Sequence, residues 1–239
     1  MTPALIALGA NLGDPLSTLR GAAAELALLP DTHLLARSRV YLTVPVGQAA
    51  GNRFHNAVVL LETRLEPLRL LDELQRLEQA SGRVRIQYWG PRTLDLDLLS
   101  YGQQVIQDPR LVVPHPTLWC RRFVLDPLCD VAPNWNHPQL QCTAEELLLQ
   151  LKRRPLRIAV TQHSAISPEL TKRMTQEFGG LVMLEPTPEL ADLRVGPADP
   201  AAQPASLRQV PWTGDDPLGL TIESIRGALD EPRPLPDPL

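Results

Sequence analysis

Apolar positions switch between two spacings along the first 152 residues, and the switch points mark the elements. Ala4 to Leu8 is a continuous apolar run, which reads as a buried strand. Asp14-Pro15 then supplies an N-cap and a first helical residue. Leu16, Leu19, Ala23 and Leu26 follow at helical spacing, and Pro30-Asp31 ends the helix. Leu34 to Val44 reads as extended chain, with Val40 and Leu42 on one face, and Asn56 to Thr63 as a strand rich in Val and Leu. Pro67 opens a second helix with the stripe Leu70, Leu71, Leu74 and Leu77, and Gly82 fits its C′ position. Thr93 to Leu99 is again a strand. The order strand, helix, strand, strand, helix, strand predicts an α+β domain of the ferredoxin-like, split βαβ kind: an antiparallel sheet with helices on one face.

Beyond Asp108 the prolines 109, 114 and 116 predict irregular chain, and Thr143 caps a closing helix that runs to Lys152. Arg153-Arg154-Pro155 predicts a boundary. The expected organisation is therefore a main domain over 1–154, a small α/β appendage over 155–196 and a partly disordered tail over 197–239. The appendage pattern is strand (Leu156 to Thr161), helix (Pro168 to Phe178) and strand (Leu181 to Leu184). Nine prolines in 197–239 predict the tail, with one short helix near Glu223 to Leu229.

Composition narrows the partners. The net charge of −4 argues against nucleic acid or an anionic membrane surface, both of which need clustered basic residues. No apolar stretch is long enough to cross a membrane, and the N-terminus has no charged region before an apolar core, so a cytoplasmic monomer acting on small molecules is expected. Cys120, Cys129 and Cys142 form no CxxC pair and read as reduced thiols.

The chemistry concentrates in Trp89-Gly90-Pro91-Arg92-Thr93-Leu94-Asp95-Leu96-Asp97-Leu98-Leu99. Residues two apart on a strand share a face, so Asp95 and Asp97 sit side by side while Leu94, Leu96 and Leu98 face the core. Two adjacent carboxylates repel unless a cation neutralises them, and oxygen ligands without His or Cys favour Mg²⁺. A bare pair of this kind also fits the solvated face of an edge strand. Arg83, Arg85 and Arg92 lie close by in the chain, and guanidinium groups bind phosphate oxygens bidentately. Acidic residues for a metal beside arginines for phosphate are what a nucleotide site needs.

Arg83-x-Arg85 followed by the WGPRTLDLDLL stretch resembles the signature of the pterin pyrophosphokinase family. Gly9 to Gly13, the segment Thr43, Pro45, Phe54 and Asn56, the pair Gln75 and Glu78, and Val113 to Pro116 with Arg121 and Phe123 are similar in order and spacing. The resemblance implies ATP and 6-hydroxymethyl-7,8-dihydropterin as substrates, with two Mg²⁺ ions held by Asp95 and Asp97. It implies that Phe54 and Phe123 sandwich the pterin, that Asn56 bonds its edge, and that Thr43, Val44, Pro45, Val46 and Trp89 complete that pocket. Gln75, Glu78, Arg85, Trp89, Arg92, Leu98, His115 and Arg121 would line the nucleotide side. Arg83 and Arg92 would stabilise the moving charge as the pterin hydroxymethyl oxygen attacks the β-phosphorus and AMP leaves.

Two other readings compete. One is a pterin- or nucleotide-binding module without catalysis. The other is a bifunctional chain with a second activity after residue 155. No GxxxxGK[ST] supports a P-loop kinase, and no aromatic RNP-like run supports an RNA-binding domain.

Overall fold

The structure is a computed structural model describing residues 1–44, 52–82, 92–160, 168–185, 190–197, 209–212 and 217–239. Strand β1 (Thr2–Ala10) lies inside the main sheet, paired antiparallel with β4 (Phe54–Thr63) on one side and with β5 (Asp95–Tyr101) on the other. Strands β2 (Thr32–Arg37) and β3 (Arg39–Thr43) both pair antiparallel with β4. They are two halves of the predicted extended segment, broken at the buried Ser38, whose Oγ accepts the Val58 N–H at 2.9 Å.

Helix α1 (Pro15–Ala27) starts where expected, with the Asp14 carboxylate accepting the Ser17 N–H at 3.2 Å. Helix α2 (Pro67–Ala80) ends at Ser81, and Gly82 takes the left-handed φ of 76° that a C′ glycine supplies. Both helices pack on the sheet face formed by Ala4, Ile6 and Leu8 of β1 and Leu96 and Leu98 of β5.

The expectation of helices on one face is corrected here. Leu5, Val58 and Leu99 point the other way, into a second apolar core with α3 (Arg122–Val131) and α4 (Ala144–Leu151). The physical reason is that β1 and β4 are interior strands, apolar on both faces. The unbroken apolar run Ala4 to Leu8 carries that signal. A reciprocal capping box holds the start of α4: Glu146 N–H to Thr143 Oγ1 at 3.2 Å, and Thr143 N–H to Glu146 Oε2 at 2.8 Å. Strands β6 (Ile106–Asp108) and β7 (Leu111–Val113) form a small hairpin in the stretch read as irregular.

In the last third the predicted strand, helix and strand are present and two further strands join them. Strands β8 (Leu156–Val160), β9 (Val182–Leu184), β10 (Leu193–Pro197) and β11 (Gln209–Trp212) form a parallel sheet in the order β11-β10-β8-β9, with α5 (Pro168–Phe178) between β8 and β9. Its apolar residues Ile158 and Val195, with Phe178 of α5, belong to the same core as Leu125 and Leu147 of α3 and α4.

Within the 197–239 stretch, read as a partly disordered tail with one short helix, the described residues 217–239 form a helix and a strand. Helix α6 (Pro217–Leu229) is longer than the short helix predicted, and β12 (Arg233–Pro238) pairs antiparallel with β3 as an edge strand of the main sheet. Proline is tolerated at a sheet edge, where a missing N–H removes no interior ladder bond. The terminal Leu239 is itself buried, its N–H donating to the Ser38 carbonyl at 3.2 Å. Among the described residues no helix is long and apolar enough to cross a membrane.

Candidate active site

The core formed with α3 and α4 covers only part of the sheet. At its open end three strands lay small and polar residues side by side. Gly9 of β1 stands between Asn56 of β4 and Asp95 of β5, and in the next row Ala7 stands between Val58 and Asp97. The small β1 residues form the floor. A Cβ on Gly9 would lie 3.2 Å from Asn56 Oδ1 and 3.8 Å from Asp95 Cβ, so a side chain there would crowd both functional groups. The result is a cavity of about 240 Å³, bounded by β1, β3, β4, β5 and the start of α3.

Ten of the residues singled out from the sequence line this cavity. Asp95, Asp97 and Arg92 stand on the β5 side, Thr43, Val44, Phe54 and Asn56 on the β3–β4 side, and His115, Arg121 and Phe123 across the top. The Asn56 amide donates to Thr43 Oγ1 at 2.8 Å, which fixes how its carbonyl faces the cavity. The Arg121 guanidinium lies 5.6 Å from the centroid of the Phe123 ring. Pro45, Val46, Arg83, Arg85 and Trp89 lie outside the described residues.

Arg92 and Asp95 form a direct ion pair. The backbone of Arg92 is clamped by the buried Asn11. Asn11 Oδ1 accepts the Arg92 N–H at 2.7 Å, and the Asn11 N–H donates to the Arg92 carbonyl at 3.0 Å. From the sequence alone Asn11 has no assigned part in the site. Its only sequence signal is the Gly9 to Gly13 stretch.

Gln75, Glu78 and Leu98 do not line the cavity. Leu98 is core, on the opposite sheet face. Gln75 is half-buried on α2. Glu78 is 3% exposed, and its Oε1 accepts the Leu96 N–H at 2.8 Å. Strand β5 is an edge, so that N–H has no strand partner on its outer side. Glu78 satisfies it, and thereby holds the backbone between Asp95 and Asp97. Its position fits alignment of the carboxylates.

Burial, and secondarily the positive charge of Arg121, push the His115 imidazole down to about 3, against the opposing pull of Asp95. The ring is therefore neutral at physiological pH. Thr117 N–H approaches Nδ1 at 3.4 Å, which assigns Nδ1 as acceptor and leaves the proton on Nε2. His115 is thus suited to donate a hydrogen bond rather than to remove a proton. Burial pushes the Cys120 and Cys129 thiols up to about 12, so neither is a thiolate nucleophile.

Whether the cavity suits a divalent cation can be judged from its donors. Asp95 and Asp97 offer carboxylate oxygens on one strand face. Among the described residues, no three His, Cys, Asp or Glu side chains cluster to complete a metal site by themselves. That donor set fits Mg²⁺, which takes one or two carboxylates and fills its other positions with water and substrate phosphate.

The 7,8-dihydro-6-hydroxymethylpterin-pyrophosphokinase (HPPK) sequence model matches residues 5–133, more than half of the chain. The 2-amino-4-hydroxy-6-hydroxymethyldihydropteridine pyrophosphokinase of Haemophilus influenzae is 45% identical over 145 residues, which cover 61% of this chain and 91% of that protein. The protein of the same name from Pseudomonas aeruginosa is 48% identical over 133 residues, covering 56% of this chain and 82% of that one. Among solved structures, wild-type Plasmodium falciparum HPPK-DHPS with SDX-DHP superposes with a TM-score of 0.50 at 14% identity, covering 76% of this chain and 46% of that one. This chain spans less than half of that neighbour, and at such identity the likeness concerns fold alone.

Proposed function

The chain belongs to the 7,8-dihydro-6-hydroxymethylpterin-pyrophosphokinase family, and from that premise we propose how its cavity carries out the reaction. The reaction is transfer of diphosphate from ATP to the hydroxymethyl group of 6-hydroxymethyl-7,8-dihydropterin, a step of folate biosynthesis. The sheet order β3-β4-β1-β5 with α1 and α2 on one face supports a ferredoxin-like description of the main domain.

In this reading the pterin lies between Phe54 and Phe123, whose flat faces suit a bicyclic ring. The Asn56 amide, oriented by Thr43, reads the pterin edge. Asp95 and Asp97 would hold Mg²⁺, two ions with ATP. The bound metal supplies neutralisation of the triphosphate charge. Arg92, which neutralises Asp95 in the free protein, and Arg121 would turn to phosphate oxygens. His115 would donate from Nε2 to the same group. Arg83, Arg85 and Trp89 belong to this reading on resemblance alone. Diphosphate transfer needs mainly positioning and charge stabilisation, and these side chains offer both.

One observation carries the assignment. Asn56, Gly9 and Asp95 form one row across three strands, so the pterin-reading amide and the metal-binding carboxylates share one floor. The test is AMP release from ATP and Mg²⁺, with and without the pterin, in wild type and Asp97→Asn. Pterin-dependent AMP is expected from the wild type, with kcat lower by about 10³-fold in the variant. A folded wild type that binds pterin and releases no AMP would overturn catalysis in favour of a binding module.

A further inference from the structure

The family match ends at residue 133, yet the end of the chain returns to the same cavity. Helix α6 touches the second sheet through β10 and β11, and touches the main domain through α3. Where it meets α3 it presents the buried Gly227. A Cβ at that position would lie 3.7 Å from Phe123 Cε1 and 3.9 Å from Arg121 Cγ. Just past the helix, the Asp230 carboxyl lies beside the Val44 and Glu231 backbone N–H groups, which favour its charged form against the effect of burial. Val44 lines the cavity and follows the last residue of β3. The chain then enters β12, which pairs with β3 itself, Arg233 opposite Leu42 and Pro234 opposite Tyr41.

Both contacts fall at the ends of elements. Helix α3 begins at Arg122 with no side-chain cap, and Phe123 sits in its first turn. Val44 sits where β3 ends. Such ends fray unless something packs on them.

We propose that residues 217–239 position the pterin half of the active site, α6 seating Phe123 and Arg121 against Gly227 and Asp230 anchoring Val44. The inference rests on the pterin reading of that half. Gly227 and Asp230 touch no substrate. They act through Phe123, Arg121 and Val44 and are positioning residues. The absence of a side chain at Gly227 sets how far the Phe123 ring can withdraw from the cavity. The Asp230 carboxylate sets where β3 releases the chain.

The test is steady-state kinetics of the full chain, with the KM for pterin, the KM for ATP and kcat measured separately. Asp230→Ala is expected to raise the pterin KM about tenfold while leaving the ATP KM and kcat within about twofold. Asp230→Asn keeps an acceptor for the Val44 N–H and is expected to restore the pterin KM. Gly227→Leu, whose side chain must push the Phe123 ring, is expected to raise the pterin KM in the same way, and Gly227→Ala, which fits in ordinary contact, is not. Phe123→Ala is the control for the site itself. If Phe123→Ala weakens pterin binding and neither Asp230→Ala nor Gly227→Leu does, the inference is overturned and the site assignment stands. If Phe123→Ala leaves the pterin KM unchanged, the site assignment fails and takes the inference with it. If Asp230→Ala instead lowers kcat and both affinities in step with a loss of folded protein by circular dichroism, the role is structural only and the inference is overturned.

Discussion

The carboxylate edge of the cavity comes from one strand, β5, whose alternate residues Asp95 and Asp97 are set by local backbone geometry. The aromatic wall opposite is backed by α6, which arrives from the far end of the chain. The first is written in consecutive residues and lies within the residues matched by the family model. The second rests on tertiary return, and the helix that backs it lies beyond the residues matched by the family model. A site can thus keep its reacting half in a short motif while its shaping half depends on a segment that no motif records.

The largest effect that could break this contrast comes from ending the chain at Arg154. Leu125, Leu128, Leu147 and Leu151 share a core with Leu156, Ile158, Val195, Ile222 and Ile225. Removing the second group exposes the first. The fragment is expected to lose more than about 4 kcal/mol, several buried aliphatic side chains being lost at about 1.5–3 kcal/mol each. Thermal unfolding and binding of a hydrophobic dye read this out. A fragment that unfolds cooperatively near the wild-type Tm and keeps its pterin KM would mean that the last third is dispensable. Within the intact chain, Ile225→Ala samples the same interface on a smaller scale, with about 2–4 kcal/mol lost on denaturant unfolding.

Next in size is Glu78. Its carboxylate is buried on the Leu96 N–H, between the two aspartates. Glu78→Ala leaves that N–H without an acceptor and is expected to cost about 1–3 kcal/mol of stability. Activity should fall further than folded fraction does, because the strand carrying Asp95 and Asp97 loses its outer anchor. Glu78→Gln keeps an acceptor and should recover most of both. If Glu78→Ala changed only the ATP KM, its role would be nucleotide contact, as first expected from the sequence, and not alignment of β5.

These residues also mark how far the sequence could be read. The period of two along Leu94 to Leu99 placed both aspartates on one face because a strand allows nothing else. Asp14, Thr143 and Gly82 signalled helix ends because capping is local chemistry. The backbone hydrogen bonds made by Asn11 and Glu78 went unforeseen for the opposite reason. Each acts on a backbone group distant in sequence, Arg92 in one case and Leu96 in the other, and a polar residue's type does not name its partner. The prolines of β12 suggested disorder because their density suits unfolded chain equally well. Only its pairing with β3 distinguishes an edge strand. Gly227 could not be read at all, since what makes it informative is the ring facing it.

The smallest effect tests the charge on the C-terminal anchor. Burial, with a further push from Asp126, raises Asp230 to about 6, while the Val44 and Glu231 N–H groups and Arg122 act in the other direction. The surrounding charges are Arg122 and Asp126 on α3, Lys152 beside Asp126, and Arg154 and Glu231 nearby. A carboxyl raised on folding contributes stability that is complete below its unfolded value near 4 and is lost as pH rises through 6. At pH 7.5 the wild type therefore carries the cost of ionising a half-buried group. Asp230→Asn removes that cost and keeps an acceptor for Val44. It should be more stable than wild type by about 1 kcal/mol at pH 7.5, less than full burial would give, because solvent still reaches the carboxylate. The gap should shrink below pH 6 and close near pH 4, as thermal unfolding across that range would register. A variant less stable than wild type at pH 7.5 would mean that attraction to Arg122 outweighs burial, and that α6 is held to the main domain by charge rather than by the packing around Gly227.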